Sequence, residues 1–367
     1  MFWIVAVIAV PILLATLLSI GKVPPITLAE VVALTFLIWM NCSVIVNYAR
    51  KLRVGYVTSL FLVPFFVTLP EVVTSTVLAG NGLGLAGFIN AIFSVVMDLC
   101  FTFALFTVAY YRVCRKVLLE QCPRIELPRA YLAIVTLPPL VTACMYVDWT
   151  RMRIVNPPAL NDPLDPILLL VAYCLILAVP CVLYLLKHRH EIVETVITAE
   201  QEVGFVASWY DAVILVLSLV SLFFLSYQFA ERMDIVCTVL GQKAGGILSA
   251  YLTSIPDAMY SLAAFSPRLD EVKESLVELW GSATHDMTRN IGFPALLYAY
   301  HITILGVTGG PVIGNPPTIL AMWIAVLTWA LTHAIAGKRE HKLVATTKTA
   351  TILLTVFAVC TAIGLLF

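Results

Sequence analysis

A chain of 367 residues that is 61% hydrophobic and only 12% charged, with a mean hydropathy of +0.97, is not a soluble globular domain. Soluble domains are about 45–50% apolar and about 25% charged. The formal net charge is zero, and nothing in the sequence points to nucleic acid.

The apolar runs are long enough to cross a bilayer as helices, which takes roughly 20 residues each. The ten-residue alternation of a membrane β-barrel is absent. In chain order the predicted apolar segments are 2–20, 26–48, 54–80, 84–111, 129–147, 165–186, 208–230, 236–265, 274–303, 312–336 and 343–366. The first is read as a retained helix, because it carries no N-terminal Lys or Arg and no clean cleavage site follows. The expected fold is therefore an all-α polytopic membrane protein with 10–11 transmembrane helices and the lipid bilayer as its surroundings. Nine cysteines form no CxxC pair and read as small buried hydrophobes. Trp3, Trp149, Trp209 and Trp280 near segment ends read as interface anchors.

Lys and Arg alternate between the joints. One side holds Arg50, Lys51, Arg53, Arg112, Arg115, Lys116, Arg124, Arg129, Lys187, Arg189, Arg268, Lys273, Lys338, Arg339 and Lys342. The other holds Lys22, Arg151, Arg153 and Arg232, while Arg289 falls inside a segment and is left uncounted. This bias puts the N-terminus in the cytoplasm and the C-terminus outside. The joint 187–207, with Glu191, Glu194, Glu200 and Glu202, is then a solvated cytoplasmic one.

Within segment 54–80 the string VTLPEVVTS holds Thr68, Pro70, Glu71, Thr74 and Ser75. Within segment 236–265 the string TSIPDAMYS holds Thr253, Ser254, Pro256, Asp257 and Ser261. Each is a hydroxyl, a proline and an acid inside a membrane segment, and the acids stand 186 positions apart. The same offset carries 26–48 to 212–234 and 129–147 to 315–333. The chain thus divides into an extra helix (1–25), a first five-helix repeat (26–186), the joint 187–207 and a second five-helix repeat (208–367). An odd number of helices per repeat inverts the second against the first, and inverted repeats with broken helices mark secondary transporters.

After each acid comes a polar stripe. Asn90, Ser94 and Asp98 follow Glu71, and Ser282, Asp286 and Asn290 follow Asp257. The i, i+4, i+8 spacing puts each set on one helix face. A polar face inside a membrane must meet protein, water or an ion.

Pro70 and Pro256 lack an N–H and clash with the carbonyl four residues back. Pro70 frees the carbonyl of Phe66 and strains that of Val67; Pro256 does the same to Leu252 and Thr253. A freed carbonyl and an intramembrane acid are each costly in lipid, the acid by about 2.5–3.5 kcal/mol. Their pairing in both repeats points to a cation. Ca2+ takes about 6–8 oxygen ligands, which Glu71, Asp257 and the carbonyls of Val67 and Thr253 begin to supply. The hydroxyls of Thr68, Ser254, Thr74, Ser94 and Ser261 add oxygens suited to Na+. Four buried acids cannot all stay ionised without cations, so Na+ or H+ must replace a departing divalent ion. That is the logic of antiport. His285 lies off the stripe, in a packing role, and His301 carries a weaker signal still.

These residues resemble the two α-repeats of the cation/Ca2+ exchanger superfamily, G-T-S-x-P-E-x-x-x-S followed by G-N-x-x-G-S-N-x-x-N. The resemblance covers about 54–111 and 236–303. It implies that Glu71 and Asp257 match the Ca2+-holding acids and that Val67 and Thr253 match the helping carbonyls. Thr68 and Ser254 match the neighbouring serines, Ser94 and Asp286 the serine of G-S-N, and Asp98 and Asn290 the position one turn later. The sequence departs from the pattern at Phe66-Val67, at the shorter Asp257 and at Asp286, which makes a fourth acid. The second acid-to-stripe spacing is 25 residues against 19 in the first.

The resemblance implies a secondary antiporter, not an enzyme, exchanging Ca2+ for Na+ or H+ by alternating access. No cofactor beyond the transported ions is expected, and the expected residence is the plasma membrane of a prokaryote. Mg2+ or Mn2+ is the alternative substrate. An intramembrane aspartyl protease is the rival from another class, and it lacks the G-x-G-D element before Asp98 or Asp257. An organic-cation transporter would need an aromatic-lined pocket, and a channel would need a filter loop.

Overall fold

The computed structural model describes residues 21–51, 63–108, 125–126, 139–148, 153–154, 164–175, 209–258, 269–335, 342–343 and 347–367. The expected helix at 2–20, the joint 187–207 with its glutamates, Trp3, Trp149 and Ser261 lie outside the described residues.

Helices account for nearly all of the described regular structure. In chain order they are α1 Pro25–Lys51, α2 Val63–Val67, α3 Leu69–Gly80, α4 Gly84–Val96, α5 Leu164–Tyr173, α6 Trp209–Leu240, α7 Gln242–Thr253, α8 Ile255–Ala258, α9 Leu269–Ala299, α10 Pro316–Trp329 and α11 Thr347–Leu366. A π-helical turn at Met97–Thr102 extends α4. Three antiparallel pairs of two-residue strands lie in connectors: β1 (Ile125–Glu126) with β6 (Lys342–Leu343), β2 (Val147–Asp148) with β3 (Arg153–Ile154), and β4 (Thr303–Ile304) with β5 (Val307–Thr308).

Among the described residues, five helices are long and apolar enough to cross a membrane: Pro25–Val46, Val63–Gly80, Gly84–Val108, Trp209–Leu240 and Lys348–Leu366. Their surroundings differ. In Gly84–Val108, 94% of the most apolar window is buried, against 17% in Trp209–Leu240. The first therefore runs through the centre and the second lies at the rim. Phe36, Leu37 and Met40 of α1 and Val216, Leu217, Val220 and Phe224 of α6 face outward. An apolar rim of this extent suits lipid and not water.

Two sequence expectations are corrected. The break expected between 230 and 236 does not exist, because α6 runs on to Leu240. Arg232 pairs there with Glu30 of α1 at 2.8 Å, both half-exposed, which lets the helix carry its charges. The chain turns instead at Gly241, whose φ of +87° is open to glycine. Trp280 is not an interface anchor. Helix α9 begins at Leu269, so Trp280 lies eleven residues into it and only 1% exposed. Its ring stacks on Phe103 and meets Trp329 edge-on. Trp209, at the start of α6, is exposed as an interface residue would be.

The packing crosses between the two halves. Helices α1 and α6, which share the 186-residue offset, lie side by side, tied by Asn41 Nδ2 donating to Ser221 Oγ at 2.8 Å. Helix α3 packs on α4 and on α9, and α7 packs on α4. Helix α3, which bears Glu71, thus contacts the stripe-bearing helix of the other half, and α8, which bears Asp257, contacts the π-helical turn that ends the first stripe. Small residues permit this approach. A Cβ on Gly87 would sit 2.6 Å from the carbonyl oxygen of Ser75, and one on Gly246 would sit 2.9 Å from that of Ala86. Gly87→Val should therefore overpack the α3–α4 contact and cost about 1–3 kcal/mol, read as a lowered midpoint of thermal unfolding in detergent.

Candidate functional site

The two proline-acid strings form the same backbone feature. In the first, the helix breaks at Thr68, with φ −83° and ψ 13°. In the second it breaks at Ser254, with φ −82° and ψ 4°. Both sit in the sparsely populated bridge region between helix and strand. The reason is local: a proline two residues on cannot donate to the carbonyl behind it. Each acid then falls in the first turn of a new helix, Glu71 in α3 and Asp257 in α8. The exposed N–H groups of that turn favour a carboxylate.

Glu71, Asp257, Val67, Thr68, Thr74, Ser75, Asn90, Ser94, Asp98, Thr253, Ser254, Ser282, Asp286 and Asn290 are all at most 1% exposed. Many of them meet. Asn90 donates from Nδ2 to the Glu71 carbonyl at 3.2 Å and to Ser75 Oγ at 3.0 Å. Thr253 Oγ1 lies 3.5 Å from Asn90 Oδ1, which joins the second break to the first stripe. Asn290 Nδ2 donates to Asp286 Oδ1 at 2.5 Å. Other hydroxyls turn back to their own helices. Ser94 donates to the Asn90 carbonyl at 2.9 Å, Thr68 to Pro64 at 2.8 Å and Thr253 to Ser249 at 3.0 Å. The hydroxyls of Thr74 and Ser254 have no hydrogen-bond partner, while that of Ser282 is turned toward Asp98 and Asp257.

Both carboxylate oxygens of Glu71, and one of Asp286, likewise have no side-chain hydrogen-bond partner, and Asp98 and Asp257 share the single Ser282 hydroxyl. The four acids lie close enough to repel one another: Glu71 senses Asp257 and Asp98, Asp98 senses Asp257 and Asp286, and Asp286 senses Glu71. Buried charges left so are costly, and native interiors keep them only with partners. Among the described residues, no three acid, histidine or cysteine side chains converge as a chelating group. A cation here would have to draw on hydroxyls and carbonyls as well as carboxylates.

Two charged residues of the site were not anticipated from the sequence. Glu278, fully buried on α9, stands one turn before Ser282 and continues the stripe, and its charge reaches Asp257. Extending the i, i+4 count backwards would have found it. Arg289, 6% exposed, adjoins Asn290. Its guanidinium donates to the Phe65 carbonyl at 2.6 Å, and to the Thr68 carbonyl and hydroxyl at 2.8 and 2.6 Å. It also donates to Asn290 Oδ1 at 3.0 and 3.1 Å. The sequence pointed to the carbonyls of Phe66 and Val67; the guanidinium instead takes those on either side. His285 packs edge-on against Phe65, while His301 is exposed in a turn.

A cavity of about 300 Å³ opens between α3 and α9. Phe65, Leu69, Val72, Phe293 and Leu297 line it, Arg289 reaches it from one side, and Ile304 and Val307 of the β4–β5 hairpin line it from another.

The sequence matches no family model and no curated protein. Solved structures do share the fold. Native YfkE superposes with a TM-score of 0.57 at 16% identity, covering 98% of both chains. Selenium-substituted YfkE, described as a Ca2+/H+ antiporter, gives 0.58 at 14% identity over 99% of both. The sodium-calcium exchanger NCX_Mj, soaked with 2.5 mM Na+ and 1 mM Sr2+, gives 0.55 at 14% identity over 92% of this chain and 98% of its own. The chain has the fold of these helical membrane proteins.

Proposed function

We propose that the chain is a secondary antiporter that moves Ca2+ across the membrane in exchange for Na+ or H+ by alternating access. One observation carries this reading. Two helices broken at equivalent residues, Thr68 and Ser254, each present among the polar stripes a buried acid with at most one side-chain hydroxyl to pair it. Such broken helices hold coupling ions in secondary transporters. The excess of buried acid supports exchange over simple uptake. If the divalent ion leaves, another cation must enter to neutralise the carboxylates. The fold, shared with a Ca2+/H+ antiporter and a sodium-calcium exchanger, supports the same reading.

In this reading Glu71 and Asp257 supply charge to the divalent ion. Ser254, Thr74, Ser282 and the carbonyls near Val67 and Thr253 supply neutral oxygens. Asp98 and Asp286 hold the counter-ions. The residues 1–25, 26–186 and 208–367 would be the extra helix and the two repeats.

The test is Ca2+ flux into liposomes holding the purified chain. Uptake driven by an outward Na+ gradient, or by an acidic interior, is expected. Absence of flux under both gradients would overturn the reading, and flux of Mn2+ or Mg2+ but not Ca2+ would reassign the substrate. Binding has its own readout. Ca2+ at 100 times its dissociation constant should stabilise the purified protein by about 2.7 kcal/mol, seen as a rise in the unfolding temperature.

A further inference from the structure

We infer that Arg289 is a built-in cation of this site: its guanidinium stands beside Thr68 where a transported monovalent cation would otherwise bind. The inference rests on the antiport reading above and specifies how the site is charged.

The contacts of Arg289 are those an ion would make. Among the described residues its hydrogen bonds go to neutral oxygens: the carbonyls of Phe65 and Thr68, the Thr68 hydroxyl and Asn290 Oδ1. Opened backbone carbonyls and hydroxyls of a broken helix are what coordinate Na+ in transporters of this kind. The guanidinium also lies 4.9 Å above the Phe65 ring, a favourable cation–π distance. Its charge attracts Glu71, Asp257 and Asp286 together. Arginine keeps its proton in proteins, so neither Na+ nor H+ displaces this charge.

The two halves show what the guanidinium replaces. The breaks at Thr68 and Ser254 have nearly the same backbone angles. Aligning the stripes, Asn290 with Asp98, puts Met97 opposite Arg289. Met97 is buried in the π-helical turn that packs on α8. The Thr68 hydroxyl is engaged by Arg289, whereas the Ser254 hydroxyl has no partner. One half of a pseudo-symmetric site therefore carries a fixed charge, and the other leaves its oxygens to a mobile ion. The site should take one monovalent counter-ion fewer than a fully symmetric one.

The experiment compares wild type, Arg289→Gln and Arg289→Lys. Thermal unfolding is followed against Na+, with choline holding ionic strength constant. Arg289→Gln is expected to gain a Na+-dependent stabilisation, half-maximal at a Na+ concentration lower than in wild type by about tenfold or more. Arg289→Lys, which keeps the charge, should respond as wild type does. In liposomes, Arg289→Gln should move one more monovalent charge per divalent ion, read from the gradient that just halts flux. If Arg289→Gln is merely less stable, with wild-type response to Na+ and wild-type coupling, then Arg289 is only a clamp on the broken helix and the inference is overturned. If Arg289→Gln cannot be purified in choline chloride, recovery in NaCl supports the inference, and equal failure in both salts overturns it. Should the wild type carry no divalent flux, the antiport reading falls, while the unfolding comparison still decides the role of Arg289.

Discussion

Glu71→Gln and Asp257→Asn are each expected to cut divalent-cation transport by about 100- to 1000-fold while raising thermal stability in cation-free buffer. Both substitutions keep the shape of the side chain and delete its charge. A divalent ion bound between the broken helices loses one of its two closest negative partners. Removing one partner of a buried charge pair costs about 3–5 kcal/mol, which is roughly two to three and a half powers of ten in affinity. The stability effect has the opposite sign. Without cations, Glu71 repels Asp257 and Asp98, and neither of its oxygens has a side-chain hydrogen-bond donor. A neutral amide ends the repulsion and lowers the cost of burial. A damaged fold would lose transport and stability together, so the two readouts in parallel separate site from scaffold. Wild-type flux in either variant would remove that acid from the site.

That pairing was legible in the sequence because a membrane makes charge rare. With 12% charged residues, two proline-acid strings 186 positions apart stand out, and the polar residues every fourth position after each stand out too. The length of the apolar runs pointed to membrane-spanning helices, since a bilayer sets that length, and five such helices stand among the described residues. Three features were hidden for physical reasons. The end of α6 was misread because Glu231, Arg232 and Asp234 look like a joint, whereas the Glu30–Arg232 pair keeps the helix going to Gly241. Trp280 was misread because its place depends on where α9 starts, which the mixed stretch before it does not reveal. Arg289 was passed over because its partners, Phe65 and Thr68, lie more than 220 positions away. No local pattern encodes a contact of that separation; only the packing of α9 against α2 and α3 creates it.

Pro70→Ala is expected to lower transport by about tenfold or more with little change in stability, and Pro256→Ala to do the same to a smaller degree. The stability terms nearly cancel. Alanine restores an N–H that can pair with the Phe66 carbonyl, a gain of about 0.5–1.5 kcal/mol. It also frees the unfolded chain that proline had restricted, a loss of about 0.4–1 kcal/mol. The geometric effect does not cancel. A regular helix through residues 63–80 requires Thr68 to move from ψ 13° to near −42°. That turn of about 55° at one residue swings everything after it, beginning with Glu71 three positions on. Ser254 would turn by a similar angle, with Asp257 at the same distance. The halves differ in what else is attached. Straightening the first break also shifts the Phe65 and Thr68 carbonyls that hold Arg289, so Pro70→Ala disturbs the acid and the fixed cation at once. Pro256→Ala disturbs the acid and the oxygens beside it but no fixed cation. Flux and unfolding temperature measured on both variants test this ordering. Equal, wild-type flux in the two would mean that the breaks at Thr68 and Ser254 do not aim the carboxylates.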